Sequence, residues 1–273
     1  MIREFKTYLT SIKGYAENTA VAYEKDLVSF VHYVKSQKPA ATWSTLKRED
    51  VDAYIIYLSN TDHKPATLCR HIASISALYK YMKRQGYNVE DIAKYESRPK
   101  IGKHQPNTIP VEDITLAMAK AQGKVKIMLR ILMETGIRVQ EMLDIRDKDV
   151  DTKMGTIRIH GKGNKERTIY ISQGTLNMIR SIMSTSSCTL FGDLEQREVR
   201  TMIWQALKDN TNAKQLSPHA IRHTYATEMA RRGMTATTLQ KSLGHEHLET
   251  TQRYIDFAQV GEEQEIRQLS IFN

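Results

Sequence analysis

The most informative pattern in this 273-residue chain is S-P-H-A-I-R-H, residues 217–223. The Ser217 side chain is suited to cap a helix and Pro218 suits the first helical position, so a helix is predicted to begin here. On that helix His219 and Arg222 are three residues apart and therefore share one face. An imidazole and a guanidinium near a helix N-terminus form an anion site, because the helix dipole adds to their positive charge.

Four other short segments make this stretch specific. Taken alone, an H-x-x-R pair is usually a solvated helix face, and L-G-H at residues 243–245 is usually a helix end with a trailing histidine. Here they occur in order with E-T-G-I-R at 134–138 and G-K-G-N-K-E-R at 161–167 upstream, and T-T-Q-R-Y at 250–254 downstream. The combination is far more specific than any of its members.

This ordered set resembles the tyrosine recombinases, the family of phage-type integrases, Xer-type recombinases and their transposon relatives. The resemblance is strong over roughly residues 107–262, and in the N-terminal part it rests on length and helical pattern only. Every position of the family's catalytic set is filled, in the family's order. The set is Arg138, Lys162, His219, Arg222, His245 and Tyr254.

The resemblance implies a site-specific DNA recombinase that needs no cofactor and no metal. Members of this family cut and rejoin DNA strands through a covalent 3′-phosphotyrosine with a free 5′ hydroxyl, and they exchange strands through a Holliday junction. The implied partner is double-stranded DNA with inverted-repeat recombination sites, bound by a homo-oligomer that is a tetramer on DNA. Integration, excision, inversion and dimer resolution remain open as biological roles.

The cationic members of the set fit the chemistry of a phosphodiester. Arg138 and Arg222 are suited to bind the non-bridging oxygens, since a planar guanidinium binds phosphate bidentately and stays charged at any working pH. His219 and His245 can donate further hydrogen bonds, or His219 can accept the proton of the tyrosine. Donors aimed at developing charge usually supply the largest catalytic contribution.

Lys162 and Tyr254 are predicted to serve as general acid and nucleophile. Lys162 would protonate the departing 5′ oxygen, and two nearby arginines would lower its pKa. A phenol has an ordinary pKa near 10, so Tyr254 needs cationic surroundings to favour the phenolate. The aspartates at 147, 149 and 151 lack metal-ligand spacing and are predicted to form a polar turn.

The composition favours a polyanionic partner. The chain has 40 Lys+Arg against 31 Asp+Glu, a net charge of +9, and a pI near 9.4, although basic proteins without such a partner are common. Cys69 and Cys188 lack metal-type spacing, which fits packed thiols in a reducing interior. No apolar run approaches the ~20 residues of a membrane span and no secretory signal is visible, so a soluble, cytoplasmic protein is predicted.

Residues 1–95 are predicted to form an all-α bundle of four short amphipathic helices, a core-type DNA-binding domain. Asn18 is expected to cap the second helix, and Pro65 to open the last one. One face of the last helix is basic, and it is either an ordinary solvated surface or the lining of a clamp on DNA phosphates. Its members are Arg70, His71, Lys80, Lys83 and Arg84.

Residues 96–110 are predicted to be a basic, partly extended linker. It is either a tether between two domains that face one duplex or an ordinary loop. Further phosphate contacts are expected from this linker and from a hairpin beyond it. These are Lys100, Lys103, Lys165 and Arg167.

Residues 111–273 are predicted to be the catalytic domain, an α+β fold of mainly helices around a small antiparallel sheet. Arg138 stands at the start of a helix with Glu141 three residues on, a natural partner for its guanidinium. The period changes to two at residues 156–159 and 167–171, which predicts a hairpin with Lys162 near its tip. The apolar C-terminal tail, from residue 261, either folds back on its own domain or, as the resemblance implies, docks on a neighbouring protomer.

Three rival functions remain open at this point. A DNA-binding accessory protein would have the fold without strand cleavage, and the intact catalytic set argues against it. A topoisomerase would use the same chemistry without paired sites. A metal-dependent nuclease is disfavoured because no acidic cluster is present. Covalent trapping separates a binder from the enzymes, because a binder leaves no protein on a nicked strand.

Overall fold

The structure is a computed structural model, and it describes residues 1–94, 106–161, 165–183 and 189–268, with side chains to residue 258. The chain divides into two compact units, Met1–Lys103 and His104–Asn273. The predicted fold class is confirmed: the chain is mainly helical, with one small antiparallel sheet in its second unit. Within the described ranges, no helix is long and apolar enough to cross a membrane.

The first unit contains four helices in its described part, residues 1–94, as the spacing of apolar residues predicts. They are α1 (Ile2–Ser11), α2 (Glu17–Gln37), α3 (Arg48–Asn60) and α4 (Pro65–Arg84). Pro65 occupies the first turn of α4, where its missing N–H costs nothing. Asn18 does not cap α2, because that helix begins at Glu17 and its N-cap is Ala16. Aromatic side chains fill the core, among them Phe30 and Tyr54, whose ring centroids are 5.1 Å apart.

A buried polar cluster links three helices of this unit. The carboxylate of Asp26 accepts two hydrogen bonds from Arg70, at 2.8 and 2.9 Å, and lies 3.3 Å from the His71 ring. The Tyr54 hydroxyl donates to Ser29 Oγ and lies 3.0 Å from His71 Nδ1. The prediction that His71 belongs to the basic face of α4 is therefore wrong. Helical periodicity places His71 on the buried side of α4, where Tyr54 and Asp26 are the polar partners of its ring nitrogens.

Contacts within the protein engage several cationic side chains of the basic face of α4. The guanidinium of Arg70 is engaged with Asp26, Lys80 lies 3.8 Å from Asp91, and Arg84 donates to the Tyr8 hydroxyl at 3.1 Å. Lys80, Lys83 and Arg84 remain exposed. Most of the predicted linker, including Lys100 and Lys103, lies outside the described residues. Ile109, near its end, is buried in the core of the second unit.

The second unit contains eight α-helices, a short 3-10 helix and three strands in the ranges that the structure describes. The helices are α5 (Val111–Lys120), α6 (Gly123–Thr135), α7 (Val139–Leu143), α8 (Gln173–Arg180), α9 (Gln196–Lys208), α10 (Pro218–Arg231), α11 (Ala236–Leu243) and α12 (Leu248–Gln268). The strands are β1 (Val150–Asp151), β2 (Thr156–His160) and β3 (Glu166–Tyr170), in the order β1-β2-β3. Both pairings are antiparallel, with Ile157 opposite Ile169.

Alternation along the strands places their apolar residues in the core. Ile157, Ile159 and Ile169 are buried, while Arg158 between the first two is exposed. Helices α5 to α10 contribute further apolar residues to the same core. A separate apolar cluster joins α10, α11 and α12 and includes Tyr254. This cluster fixes the position of the C-terminal helix on the second unit.

Candidate active site

The end of α6 packs closely against the middle of α10. Gly136 ends α6 with φ +61°, a conformation that glycine adopts without strain. A Cβ at this position would lie 2.2 Å from the Tyr225 ring, so only glycine fits. On α10, Ser217 Oγ accepts from Ala220 N and Pro218 begins the helix, which confirms the predicted start.

Arg138 is held at the N-cap of α7 by its own helix. Its backbone N–H and its Nη1 donate to the two carboxylate oxygens of Glu141, at 2.8 and 2.9 Å. Its Nη2 donates to Gly244 O at 3.2 Å. The side chain is 47% exposed, so the remaining guanidinium donors face solvent, where a phosphate oxygen can bind.

Arg222 is the buried counterpart of Arg138. Its Nη1 donates to Gly136 O at 2.7 Å and its Nη2 to Leu243 O at 2.8 Å. Burial, with a contribution from the charge of Arg138, lowers the pKa of Arg222 to about 10. The guanidinium therefore stays protonated at neutral pH, and its orientation is fixed by two backbone carbonyls before any ligand binds.

His245 follows directly on the end of α11. Its Nδ1 lies 2.8 Å from Thr251 Oγ1, and its ring lies nearly parallel to that of Tyr254, with centroids 6.3 Å apart. Burial, followed by the charges of Arg222 and Arg138, lowers the pKa of His245 to about 4. At neutral pH the ring is therefore uncharged.

Tyr254 lies on α12 and is almost fully buried, with 4% of its surface exposed. Its hydroxyl is 2.6 Å from His223 Nδ1. Burial raises the pKa of the phenol, and the opposing charges of Arg222 and Arg253 do not offset this effect. The expectation that the cationic surroundings favour the phenolate does not hold in this structure, because desolvation is the larger effect.

His223 is a residue of this site that sequence reasoning missed. It lies four residues after His219 on α10, and the two rings are 4.2 Å apart. The sequence suggested His219 as acceptor of the tyrosine proton, but the hydrogen-bond partner of Tyr254 is His223. The i, i+4 spacing of the two histidines was the available signal. Burial, then the neighbouring His219 and Arg222, lowers the pKa of His223 to about 4.

Of the predicted catalytic set, the structure brings together Arg138, Arg222, His245 and Tyr254, with His219 beside His223 at the start of α10. Lys162 lies outside the described residues. Lys165 is exposed, and its carbonyl accepts from Gly161 N at 2.7 Å. Arg167 is not free for a phosphate, because it pairs with the carboxylate of Glu141. Burial alone would raise the pKa of Glu141, but hydrogen bonds from Arg167 and the Arg138 backbone lower it.

A metal centre does not form among the described residues. They contain no group of three or more His, Cys, Asp or Glu side chains that could hold a metal ion. The predicted polar turn is a short 3-10 helix, Asp147–Asp149. Asp149 accepts from the Arg146 backbone N–H and lies 3.0 Å from the His160 ring.

The lowered pKa values predict how this site responds to acid. Since His223 and His245 have pKa values of about 4 against an ordinary 6.5, the unfolded chain takes up protons first as the pH falls. The free energy of unfolding should therefore be fully retained above pH ~6.5 and decrease as the pH falls toward 4. Ring signals in an NMR titration, assigned with His223→Gln and His245→Gln, should shift near pH 4, and near 6.5 in denaturant. Titration near 6.5 in the folded protein would contradict the burial argument.

Comparison with known proteins places the chain in a family. Residues 109–259 match the family model described as "Phage integrase family", and residues 2–86 match "Phage integrase, N-terminal SAM-like domain". The chain is 30% identical to tyrosine recombinase XerC of Herpetosiphon aurantiacus, over 93% of this chain and 89% of the relative. It is 28% identical to tyrosine recombinase XerD of Oceanobacillus iheyensis, over 93% and 92%.

Solved structures share the fold at low identity. The XerH site-specific recombinase, in a post-cleavage complex with palindromic difH substrate, matches with a TM-score of 0.79 and 18% identity, covering 100% of this chain and 85% of that one. A lambda integrase dimer bound to a COC′ core site matches with a TM-score of 0.73 and 15% identity, covering 93% and 75%. The family models and the XerC relative show that the chain belongs to the phage integrase family, the tyrosine recombinases.

Proposed function

We propose that this protein cuts and rejoins DNA strands at specific sites through a covalent 3′-phosphotyrosine at Tyr254 and a Holliday junction. The observation that carries the proposal is the convergence of two arginines and a tyrosine on the end of α11. Arg138 and Arg222 donate to the neighbouring carbonyls of Gly244 and Leu243, and Tyr254 packs beside His245, the next residue. Side chains from α7, α10 and α12 are thereby held around one point.

The reaction follows from these groups and a bound phosphodiester. Tyr254 Oη attacks phosphorus, the bond from phosphorus to the 5′ oxygen breaks, and Lys162 gives its proton to that oxygen. His223 Nδ1, which is already hydrogen-bonded to the Tyr254 hydroxyl, accepts the phenol proton. Arg138 and Arg222 stabilise the charge on the non-bridging oxygens. The covalent bond conserves the energy of the broken linkage, so rejoining needs no ATP, and the arginines supply the charge that a metal would otherwise supply.

The proposed partner is double-stranded DNA with inverted-repeat sites. The XerH recombinase is bound to its palindromic difH substrate and the lambda integrase dimer to a COC′ core site, which supports DNA as the ligand here. Both units would contribute phosphate contacts, from Lys80, Lys83 and Arg84 on α4 and from Lys165 on the hairpin, all of them exposed. We further propose a tetramer on DNA joined through the C-terminal tail, beyond the side chains that the structure describes.

Covalent trapping on a nicked suicide substrate tests the reaction. After cleavage, the short fragment that carries the free 5′ hydroxyl diffuses away. The strand therefore cannot be rejoined, and the intermediate accumulates as a protein–DNA adduct. The wild-type adduct should form without ATP and persist in excess EDTA, and peptide mapping should locate the DNA on Tyr254. A nicked duplex of the same design without the inverted repeats serves as the control for site specificity.

Each rival function gives a different result in the same experiment. An accessory DNA-binding protein would shift the substrate without forming an adduct. A nuclease would lose its activity in EDTA and regain it with magnesium. A topoisomerase would form the adduct and relax supercoiled plasmids regardless of the repeats. Any of these outcomes would overturn the proposed function.

A further inference from the structure

The guanidinium of Arg167 is committed to protein groups. Its Nη1 and Nη2 donate to the two carboxylate oxygens of Glu141, at 3.0 and 2.8 Å. Its Nε donates to Ser242 O at 2.9 Å. Only 15% of the side chain is exposed. A side chain that donates from all three guanidinium nitrogens to the protein is oriented to fix its partners, not to bind a phosphate.

The anchor of Arg167 is the same helix end that orients the two proposed catalytic arginines. Carbonyls at the end of a helix have no partner within it, and cations are favoured there. Three consecutive carbonyls each accept from a different arginine: Ser242 from Arg167, Leu243 from Arg222 and Gly244 from Arg138. Arg167 also packs against the Gly244 backbone, where an added Cβ would lie 2.8 Å from its Nη1.

Glu141 is the group through which Arg167 reaches Arg138. The carboxylate is buried, with 7% of the side chain exposed, and its Oε1 accepts from both Arg138 Nη1 and Arg167 Nη1. Without Arg167, Oε2 of Glu141 would lose its charged hydrogen-bond donor. Because the carboxylate is buried, water could hardly replace that donor. The remaining cation, Arg138, would then be drawn toward Glu141 and away from the solvent side.

We propose that Arg167 is a positioning residue of the strand-cleavage reaction, one that holds the Glu141 carboxylate so that Glu141 presents Arg138 to the scissile phosphate. The inference rests on the proposed function and adds a residue from the hairpin strand β3 to the machinery. It replaces the prediction that Arg167 contacts DNA. Arg167 does not touch the substrate, and its effect on the reaction passes through Arg138.

A double-mutant cycle measures that dependence. Single-turnover adduct formation on the nicked substrate, at saturating DNA, is compared for wild type, Arg167→Ala, Arg138→Ala and the double variant. Misplacing a catalytic group by about 1 Å costs about 100-fold, so Arg167→Ala should slow cleavage by about that factor. In the Arg138→Ala background the same change should cost no more than about twofold, because the group it positions is gone.

Two further variants test whether the rate falls simply because a positive charge has been removed from the hairpin. Arg167→Lys keeps the charge but cannot donate to Glu141 and Ser242 together, so it should give an intermediate rate, and it decides the matter if Arg167→Ala does not fold. Arg158→Ala removes the same charge from the exposed face of the neighbouring strand and should cleave at the wild-type rate. The slope of log affinity against log salt should be the same for Arg167→Ala as for wild type.

The outcomes separate this inference from the proposed function. A full 100-fold loss in both backgrounds, or a salt slope reduced by about 0.9, would show an independent DNA contact and overturn the positioning role. Wild-type activity of both Arg167 variants would overturn it as well. If wild type itself forms no adduct on its DNA, the proposed function fails instead.

Discussion

Replacing Tyr254 by phenylalanine is expected to abolish the covalent adduct while leaving DNA affinity at the wild-type level. The change removes one oxygen, the proposed nucleophile, and keeps the ring that packs beside His245. It also removes the 2.6 Å hydrogen bond to His223, which should cost about 1 kcal/mol of stability, too little to unfold the protein. The measurements are adduct formation on a nicked substrate and binding to an uncut duplex.

Tyr225 provides the matched control for this variant. It lies three residues after Arg222, its hydroxyl is 3.1 Å from Ser242 Oγ, and its ring contacts Gly136. These contacts give it a packing role, so Tyr225→Phe should still form the adduct. An adduct that persists in Tyr254→Phe, and disappears in Tyr225→Phe, would mean that the nucleophile has been assigned to the wrong tyrosine.

The second large effect separates Lys162 from the arginines. A general acid contributes roughly 10²–10⁴-fold, and only when the leaving group needs a proton. The Lys162→Ala variant should therefore cleave ordinary DNA more slowly than wild type by that factor. A substrate with sulfur in place of the 5′ bridging oxygen expels a thiolate, which leaves without a proton, and on it the variant should recover most of the wild-type rate.

Arg138→Ala and Arg222→Ala should not be rescued by sulfur. In the proposed mechanism their guanidinium groups stabilise the non-bridging oxygens, whose charge develops whichever atom leaves, and the loss of one such donor costs about 10²–10³-fold. If Lys162→Ala cleaves both substrates normally, Lys162 has no part in the reaction. If it is equally slow on both, its role is in binding, and Lys165, exposed on the same hairpin, becomes the acid to test.

Several features of this protein depend only on residues that are close together in the sequence, and they could be predicted from it. Ser217 caps α10 and Pro218 opens it, as predicted, because capping involves groups three residues apart. Arg138 stands at the N-cap of α7 and meets Glu141 for the same reason. The change of period at β2 and β3 gave the hairpin, since alternation along a strand is a local property. The ordered motifs indicated the family, now shown by the family models.

The contacts between residues that are far apart in the chain depend on the tertiary structure. The bond from Arg138 to Gly244 spans 106 residues, and that from Arg222 to Gly136 spans 86. Local periodicity could show that Arg167 is cationic, but not that Glu141, 26 residues away, would occupy it. For Tyr254, desolvation outweighs the nearby arginines, and the sequence does not state how deeply a residue is buried. The sequence therefore supplied the chemical groups, while packing set their partners and their protonation, because both depend on which helices meet.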